Sequence, residues 1–401
     1  MRSVLISGAG IAGATLAYWL VRQGFAVTVV ERTSSVRARL GGHAVDLFGP
    51  AVDVVERMGL LPAIEAERTH NELISLVRPD GTLTDIAVDE VASTISGRHV
   101  EVLRGVLTQI LFRAVQDEVE LVFGDEITSL DDHAEDGVRV TFAQGQPRRF
   151  DLVLGADGLH SGVRRLVFGE ESSLTRYTGA WLGVYSMPDV IGIEGRTLLH
   201  LAPGRLIATY PVRQTGEARV LLLERAEQEP PGIRSDLAGQ RELLRERFAT
   251  AGWRVPQLLD HLDSADDLYV DSITQVTLED WTRGRVALVG DAGYSPGPAV
   301  GGGTSLAMVG AYVLAGELAR TEDHDQAFAA YRAEIGEFVR RSGRIAPAVV
   351  AQSAPLTPLG VRLMSAALRL YPRLPLSLRS WAAARRPGPA NALAAMAMKE
   401  Y

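Results

Sequence analysis

The stretch Ser3-Val4-Leu5-Ile6-Ser7-Gly8-Ala9-Gly10-Ile11-Ala12-Gly13 decides the fold. Its first five residues read as a buried parallel strand, Ile11 to Gln23 as a helix, and Ala26 to Val30 as the next strand. The glycines mark the turn from strand to helix, and each has its own physical duty. Gly8 permits the tight turn, Gly10 lets the backbone approach a pyrophosphate, and Gly13 lets the helix pack closely on the strand. Phosphates favour such a helix start because its free N–H groups and dipole attract anions. Glu31, with Arg32 beside it, ends the second strand, where a carboxylate accepts from ribose hydroxyls. A lone G-x-G-x-x-G is a weak signal. With strand, helix, second strand and acid all in place, it reads as a dinucleotide-binding unit, one that does not by itself separate FAD from NAD.

Working outward, Val52 to Met58 reads as a helix ended by Gly59. Glu72 to Val88 reads as a hairpin around Pro79-Asp80-Gly81. Leu107 to Val115 is helical; Glu120–Asp125, Glu126–Leu130 and Gly137–Phe142 read as a meander, and Leu152–Gly155 as a short buried strand. Trp181–Ser186, Thr197–Leu201, Leu206–Pro211 and Arg219–Leu223 predict an antiparallel sheet, followed by a helix over Gln240–Ala249. Val286–Val289 returns the chain to the first domain, and residues from Thr304 onward are mostly helical. The expected fold is α/β: a Rossmann-like domain with a parallel sheet (1–72, 97–172 and 268–320), interrupted by a substrate domain with an antiparallel sheet (73–96 and 173–267), plus C-terminal helices (321–401).

Composition excludes several functions. The net charge of -8 argues against general nucleic-acid binding, which needs a basic face. With no cysteine there are no disulfides, thiolate metal sites or dithiol reductase chemistry, and no metal site is expected. The apolar run Val4 to Val21 resembles a signal peptide only superficially, since glycines break it and a second strand follows; no stretch is long enough to span a bilayer. A cytoplasmic protein is expected, a monomer or weak dimer. Arg340 to Tyr401 carries ten Lys/Arg and one acid, Glu400. This arm is expected to dock on the acidic body and close the cleft, with peripheral membrane contact as the rival.

Two further segments select the cofactor: Gly155-Ala156-Asp157-Gly158-Leu159-His160-Ser161-Gly162-Val163-Arg164, and Gly290-Asp291-Ala292 followed by Pro298, Gly301 and Gly303. With the N-terminal unit they resemble the three fingerprints of the flavoprotein aromatic hydroxylases, the para-hydroxybenzoate hydroxylase-like class A monooxygenases. The resemblance runs from residue 1 to about residue 320. Within that family, Arg39-Leu40-Gly41-Gly42-His43-Ala44-Val45-Asp46-Leu47 looks closest to the tetracycline-inactivating monooxygenases and their actinobacterial relatives. The resemblance implies bound FAD, NADPH or NADH as transient co-substrate, and hydroxylation of an aromatic or polyketide-like molecule with O₂ through a flavin C4a-hydroperoxide. It implies that Asp291 holds ribityl or ribose hydroxyls, that Asp157 and Gly158 lie near the pyrophosphate and the nicotinamide route, and that Arg104 and Arg39, with Asp46, lie near the flavin or its entrance. Gly290, Ala12 and Pro298 belong to the same cofactor set, and Gly301, Gly302, Gly303 and Thr304 open a helix whose N–H groups face the flavin. The sequence departs from the family pattern in two places: Tyr294 replaces a histidine, and Gly302 and Ser305 replace a glutamine and an asparagine.

No acid–base pair is obligatory in this reading. His43 and Tyr210 are the catalytic candidates, His160 and His200 candidates for substrate or flavin contacts, and Trp181, Tyr185, His200 and Tyr210 candidates for the pocket wall, although strand alternation lets only some of them face it. The alternatives are a flavin dehydrogenase and a redox-silent FAD protein that sequesters a ligand. A halogenase would need a lysine near its substrate, and the only lysine is Lys399.

Overall fold

β1 (Ser3–Ser7) is buried because it lies inside a parallel sheet. A strand covered on both faces has no polar side, so its sequence runs apolar rather than alternating. α1 (Ile11–Arg22) and β2 (Ala26–Glu31) complete the βαβ unit, with β2 parallel to β1 from Ser3 opposite Ala26 to Ser7 opposite Val30. The structure, a computed structural model, describes residues 1–35, 43–69, 71–78, 80–88, 98–132, 137–213, 215–298, 301–375 and 398–401. The expected roles of Arg39 and of the turn residue Pro79 fall outside them.

The chain continues through β3 (Ala44–Phe48), α2 (Gly49–Arg57) and α3 (Leu61–Ala66) into the hairpin β4 (Leu73–Val77) and β5 (Leu83–Ala87). β6 (His99–Leu103) pairs with β3 and leads into α4 (Arg104–Arg113). β7 (Glu120–Phe123), β8 (Ile127–Asp131), β9 (Val138–Phe142), β10 (Arg148–Phe150) and β11 (Leu152–Gly155) precede two short helices, α5 (Gly162–Phe168) and α6 (Glu171–Leu174). Four longer strands follow, β12 (Thr175–Pro188), β13 (Arg196–Ala202), β14 (Arg205–Val212) and β15 (Glu217–Arg225), covered by α7 (Leu237–Phe248) and α8 (Val255–Leu259). β16 (Tyr269–Val276), β17 (Thr282–Arg283) and β18 (Val286–Leu288) lead to α9 (Asp291–Tyr294), α10 (Gly303–Arg320), α11 (His324–Ser353) and α12 (Pro358–Leu370).

The first sheet has the order β17-β18-β11-β1-β2-β7 and the second β16-β12-β15-β14-β13-β4-β5; β10-β9-β8 form a small third sheet. Two expectations change. Glu120–Asp125 is not the first strand of the meander: β7 lies parallel beside β2, and the meander is β8, β9 and β10. β16 lies within the span assigned to the first domain, yet it pairs antiparallel with β12 in the second sheet. In both cases the partner is distant in sequence, which local pattern cannot reveal.

The second sheet buries its two faces differently. Trp181, Tyr185, Ile207 and Leu222 pack with Leu244, Phe248 and Leu258 under α7 and α8. Ala180, Leu182, Val184, Leu223 and Ile273 pack on Ala346 and Val350 of α11. Tyr210 and Val212, on that second face, join the core of the first domain. α10 is buried from Ser305 to Leu318, as its near-continuous apolar sequence requires. Against it, Lys399 Nζ pairs with Glu317 and Glu334 at 3.2 and 2.7 Å, and the Tyr401 hydroxyl donates to Glu317 at 2.8 Å. These contacts lie on α10 and α11; Arg379, Arg385 and Arg386 of the basic arm lie outside the described residues. Among the described residues no helix is long and apolar enough to cross a membrane, and no group of three or more acidic or histidine side chains is placed to hold a metal.

Candidate functional site

The turn after β1 is built by exclusion. Gly8 has φ +102, and a Cβ there would lie 2.6 Å from the Ala156 carbonyl oxygen. A Cβ on Gly13 would lie 1.9 Å from the Gly8 oxygen, so α1 can approach the turn only because Gly13 lacks one. Gly10, the N-cap of α1, faces open space, leaving the first helical N–H groups accessible. Glu31 braces the same turn: one oxygen accepts from the Ala9 N–H at 2.9 Å, the other from the Thr33 N–H and hydroxyl at 3.0 and 2.8 Å. Beside it is a cavity of about 420 Å³ lined by Arg32, Thr33, Glu126 and Gln144.

The other two glycine–carboxylate segments meet this turn. Asp157 follows β11 and is half-buried. Its oxygens accept from the Ser161 hydroxyl at 2.5 Å and the Val163 N–H at 3.1 Å, so it organises the start of α5. Burial pushes its carboxyl above the usual range, opposed by these bonds. Gly158, with φ +82, faces open space. The fully buried Arg164 donates to the Leu159 and Ala292 carbonyls at 2.6 and 2.9 Å, tying the second segment to the third. Gly290, with φ +65, packs its α-carbon against Ala12 and Ala307; a Cβ there would be 3.1 Å from the Ala12 Cβ. Asp291 starts α9, and its carboxylate lies 3.9 Å from where a Gly303 Cβ would be, facing the first turn of α10. Pro298 precedes that turn, Gly301 and Gly302 both have positive φ (+87 and +78), Gly302 caps the helix, and Thr304 is partly buried in its first turn.

Between the two sheets, Tyr210 is the pocket candidate that faces the first domain. Its oxygen accepts from the Ala44 N–H at 2.9 Å, and burial raises its pKa far enough that the phenol stays protonated. Trp181, Tyr185 and His200 point away. Trp181 donates to Glu224 at 3.0 Å, Tyr185 to the Leu258 carbonyl at 2.9 Å, and His200 to the Ala251 carbonyl at 2.8 Å, all on the α7–α8 side. Their expected pocket role is corrected by the register of β12 and β13, which turns these positions toward those helices. The His43 carbonyl accepts from the Arg104 N–H at 3.2 Å. The His43 imidazole is pushed down to about 4 by burial and then by the Arg104 charge, so it is neutral near pH 7. Asp46 sits opposite Glu101 across the β3–β6 pair and bonds His99 at 2.6 Å; burial and the Asp46 charge raise the Glu101 carboxyl.

A family model described as an FAD binding domain matches residues 1–342. The chain belongs to this family. It is 42% identical over 345 residues to an uncharacterized protein of Mycobacterium tuberculosis (85% of this chain, 92% of the relative). It is 40% identical over 338 residues to a flavin-dependent monooxygenase from an unknown prokaryotic organism (84% and 86%). The crystal structure of tetracycline destructase Tet(55) superposes with a TM-score of 0.83 at 34% identity, covering 100% of this chain and 99% of the other. The chain is an FAD-dependent monooxygenase of the aromatic-hydroxylase type, with NAD(P)H as the family's usual reductant.

In this monooxygenase the residues present fit FAD. Gly10 leaves a backbone cradle that a Cβ would fill, and among the described residues no donor bonds the half-buried Asp291 carboxylate. The departures from the family pattern have structural explanations. Tyr294 is buried against α10 and α11, its hydroxyl 2.9 Å from that of Tyr331, where Gly310 makes room for it. Ser305 accepts from the Phe48 N–H at 3.1 Å and donates to the Asp46 carbonyl at 3.0 Å, holding β3 to the start of α10. Sequence reading missed this tie, and missed Tyr269 and Asp271 on β16, because a strand pattern does not announce which face meets the cleft.

Proposed function

We propose that this monooxygenase hydroxylates a polycyclic aromatic or polyketide-like molecule of the tetracycline type, bound between the seven-stranded sheet and the flavin. The observation that carries the substrate class is the likeness to a tetracycline destructase over the whole chain. Bound FAD, once reduced by NADPH or NADH, supplies the electrons with which O₂ is split, one oxygen entering the substrate and the other leaving as water. The protein binds, orients and excludes water. The first turn of α1 with Gly8, Gly10 and Gly13 would take the pyrophosphate, Glu31 and Arg32 the adenosine end, and Asp291 the ribityl hydroxyls. The free N–H groups of α10 behind Gly301, Gly302 and Gly303 would face the flavin ring and favour its anionic reduced form. Tyr210, protonated, is available as a hydrogen-bond donor to a substrate oxygen, and neutral His43 as a donor or acceptor.

The test is purification followed by a visible spectrum, then anaerobic reduction with NADPH or NADH in the presence of tetracyclines and polycyclic phenols. The expected results are a yellow protein, flavin reduction accelerated by the right ligand class, and a product heavier by one oxygen atom. A colourless protein that cannot be loaded with FAD would overturn the whole reading. Turnover without oxygen uptake would move it to a dehydrogenase, and tight ligand binding without turnover to a sequestering protein.

A further inference from the structure

We propose that His160, held between Glu171 and Asp271, is a positioning residue that clamps the flavin-binding half to the seven-stranded sheet and fixes Tyr269 at the cleft. Only the naming of the cleft rests on the hydroxylase reading. His160 lies in the loop between β11 and α5; its Nδ1 is 3.0 Å from Glu171 Oε1 and its Nε2 3.0 Å from Asp271 Oδ2. A neutral imidazole carries one N–H and can donate to only one carboxylate, so serving both requires the imidazolium. Asp271 belongs to β16 of the other sheet, so the Nε2 bond crosses between the halves.

The same Asp271 oxygen accepts from the Tyr269 hydroxyl at 2.6 Å, while Oδ1 accepts from the Ser272 N–H at 2.8 Å. Asp271 therefore passes the position of His160 to Tyr269. Val270 turns into the α7–α8 core, whereas the Tyr269 ring lies on the opposite face and is 37% exposed. Tyr269 is the first residue of β16, and the charges of Arg104 at the start of α4 and of Asp291 at the start of α9, both in the flavin-binding half, act on its hydroxyl.

The charged and titratable groups around the clamp are Asp271 and the neutral phenol Tyr269 from β16, Glu171 from α6, Arg164 from α5 at 3.6 Å from Glu171, and Arg234 from the β15–α7 loop at 3.3 Å from Glu171. Asp271 first raises the His160 pKa, burial opposes it, and Glu171 adds to the rise. Asp271 and Glu171 are held below the carboxylate range by His160, against their own burial. His160 therefore contributes fully below the ordinary histidine pKa, and its contribution is lost as pH rises through the raised value. The carboxylates contribute above their ordinary range and lose that contribution as pH falls through their depressed values. The clamp is strongest from weakly acidic to neutral pH.

The experiment uses the full chain loaded with FAD, following the histidine Cε1–H resonances against pH, with thermal midpoints for H160Q, H160R and D271N. His160 is expected to titrate above the ordinary value of about 6.5. H160Q is expected to lower Tm at pH 6 by about 2–4 °C, a gap that closes by pH 9. H160R, which keeps the charge and two donors, is expected to restore Tm and abolish the loss at high pH. In a crystal structure of H160Q the Tyr269 ring is expected to leave Asp271. Titration of His160 at or below the ordinary value, or Tyr269 unmoved in H160Q, overturns the proposal; the wild-type titration decides it even where a variant does not fold. Failure of the flavin to bind with a normal clamp titration sinks the hydroxylase reading alone, and the reverse pattern sinks the clamp alone.

Discussion

The six-stranded and seven-stranded sheets build their functional surfaces in opposite ways. The first makes its site from backbone: glycines at positions where a Cβ would collide or fill the cradle, and helix starts left open toward a ligand. The second makes its surface from side chains, and the register of each strand decides whether a tyrosine faces the cleft or the helices behind it. Tyr210 and Tyr185 illustrate this, since both are buried and bonded to a backbone group, yet on opposite faces of one sheet. A backbone-built site tolerates few substitutions and is readable; a side-chain-built one adapts, and this is where relatives sharing a fold can differ in substrate.

The comparison is broken most severely at the glycines. Gly13→Val places side-chain atoms against the Gly8 carbonyl, and no soluble folded protein is expected on expression. Gly10→Val puts its Cβ in open space, so the chain is expected to fold with an unchanged circular dichroism spectrum and lose FAD affinity by more than about 100-fold, a charge-assisted network being worth roughly 1.5–3 kcal/mol per bond. If Gly10→Val kept its flavin, the backbone-built account of the first sheet would fail. Asp291→Ala removes one side-chain acceptor from that site and is expected to weaken FAD binding about 10–100-fold, measured by flavin fluorescence.

On the second sheet the effects are smaller and divide by face. Tyr185→Phe strands the buried Leu258 carbonyl and is expected to cost about 1–3 kcal/mol in urea unfolding, with flavin reduction unchanged. Tyr210→Phe is expected to change the KM for the hydroxylated ligand more than it changes stability; equal effects from both tyrosines would erase the distinction between the faces. The mildest prediction concerns His43, which is neutral in the fold with its pKa depressed to about 4. Its contribution is present above the ordinary histidine pKa and declines as pH falls from about 6.5 toward 4. His43→Gln is expected to remove that part of the acid-side loss in a Tm profile.

How much was legible follows the same division. Gly8, Gly10 and Gly13 announced their strand, turn and helix because sterics leave no other residue at those places. The hairpin of β4 and β5 was visible from its turn residues, and Thr82 bonds Asp80 as that turn chemistry predicts. β7 was assigned to the wrong sheet because its partner, β2, lies far back in the sequence. Trp181, Tyr185 and His200 were readable as strand residues but not as facing α7 and α8, since a period of two fixes alternation without saying which side is which. Asp157, expected near the pyrophosphate, also organises the start of α5, a use that requires knowing where Ser161 and Val163 fold back.

The interleaving of the sheets has a consequence for biosynthesis. β4 waits for β13 as its parallel neighbour, and β11 waits for β18. The seven-stranded sheet lacks a strand until the ribosome has passed residue 276 and the six-stranded sheet until it has passed residue 288, so the two close nearly together. Chains stalled earlier would carry the bare edge of β11 and an unmet apolar face, the species most prone to aggregate. Such a protein cannot be cut into two separately folding pieces at any single bond between β4 and β18, so recombining its substrate half with another flavin half would require exchanging at least two segments at once.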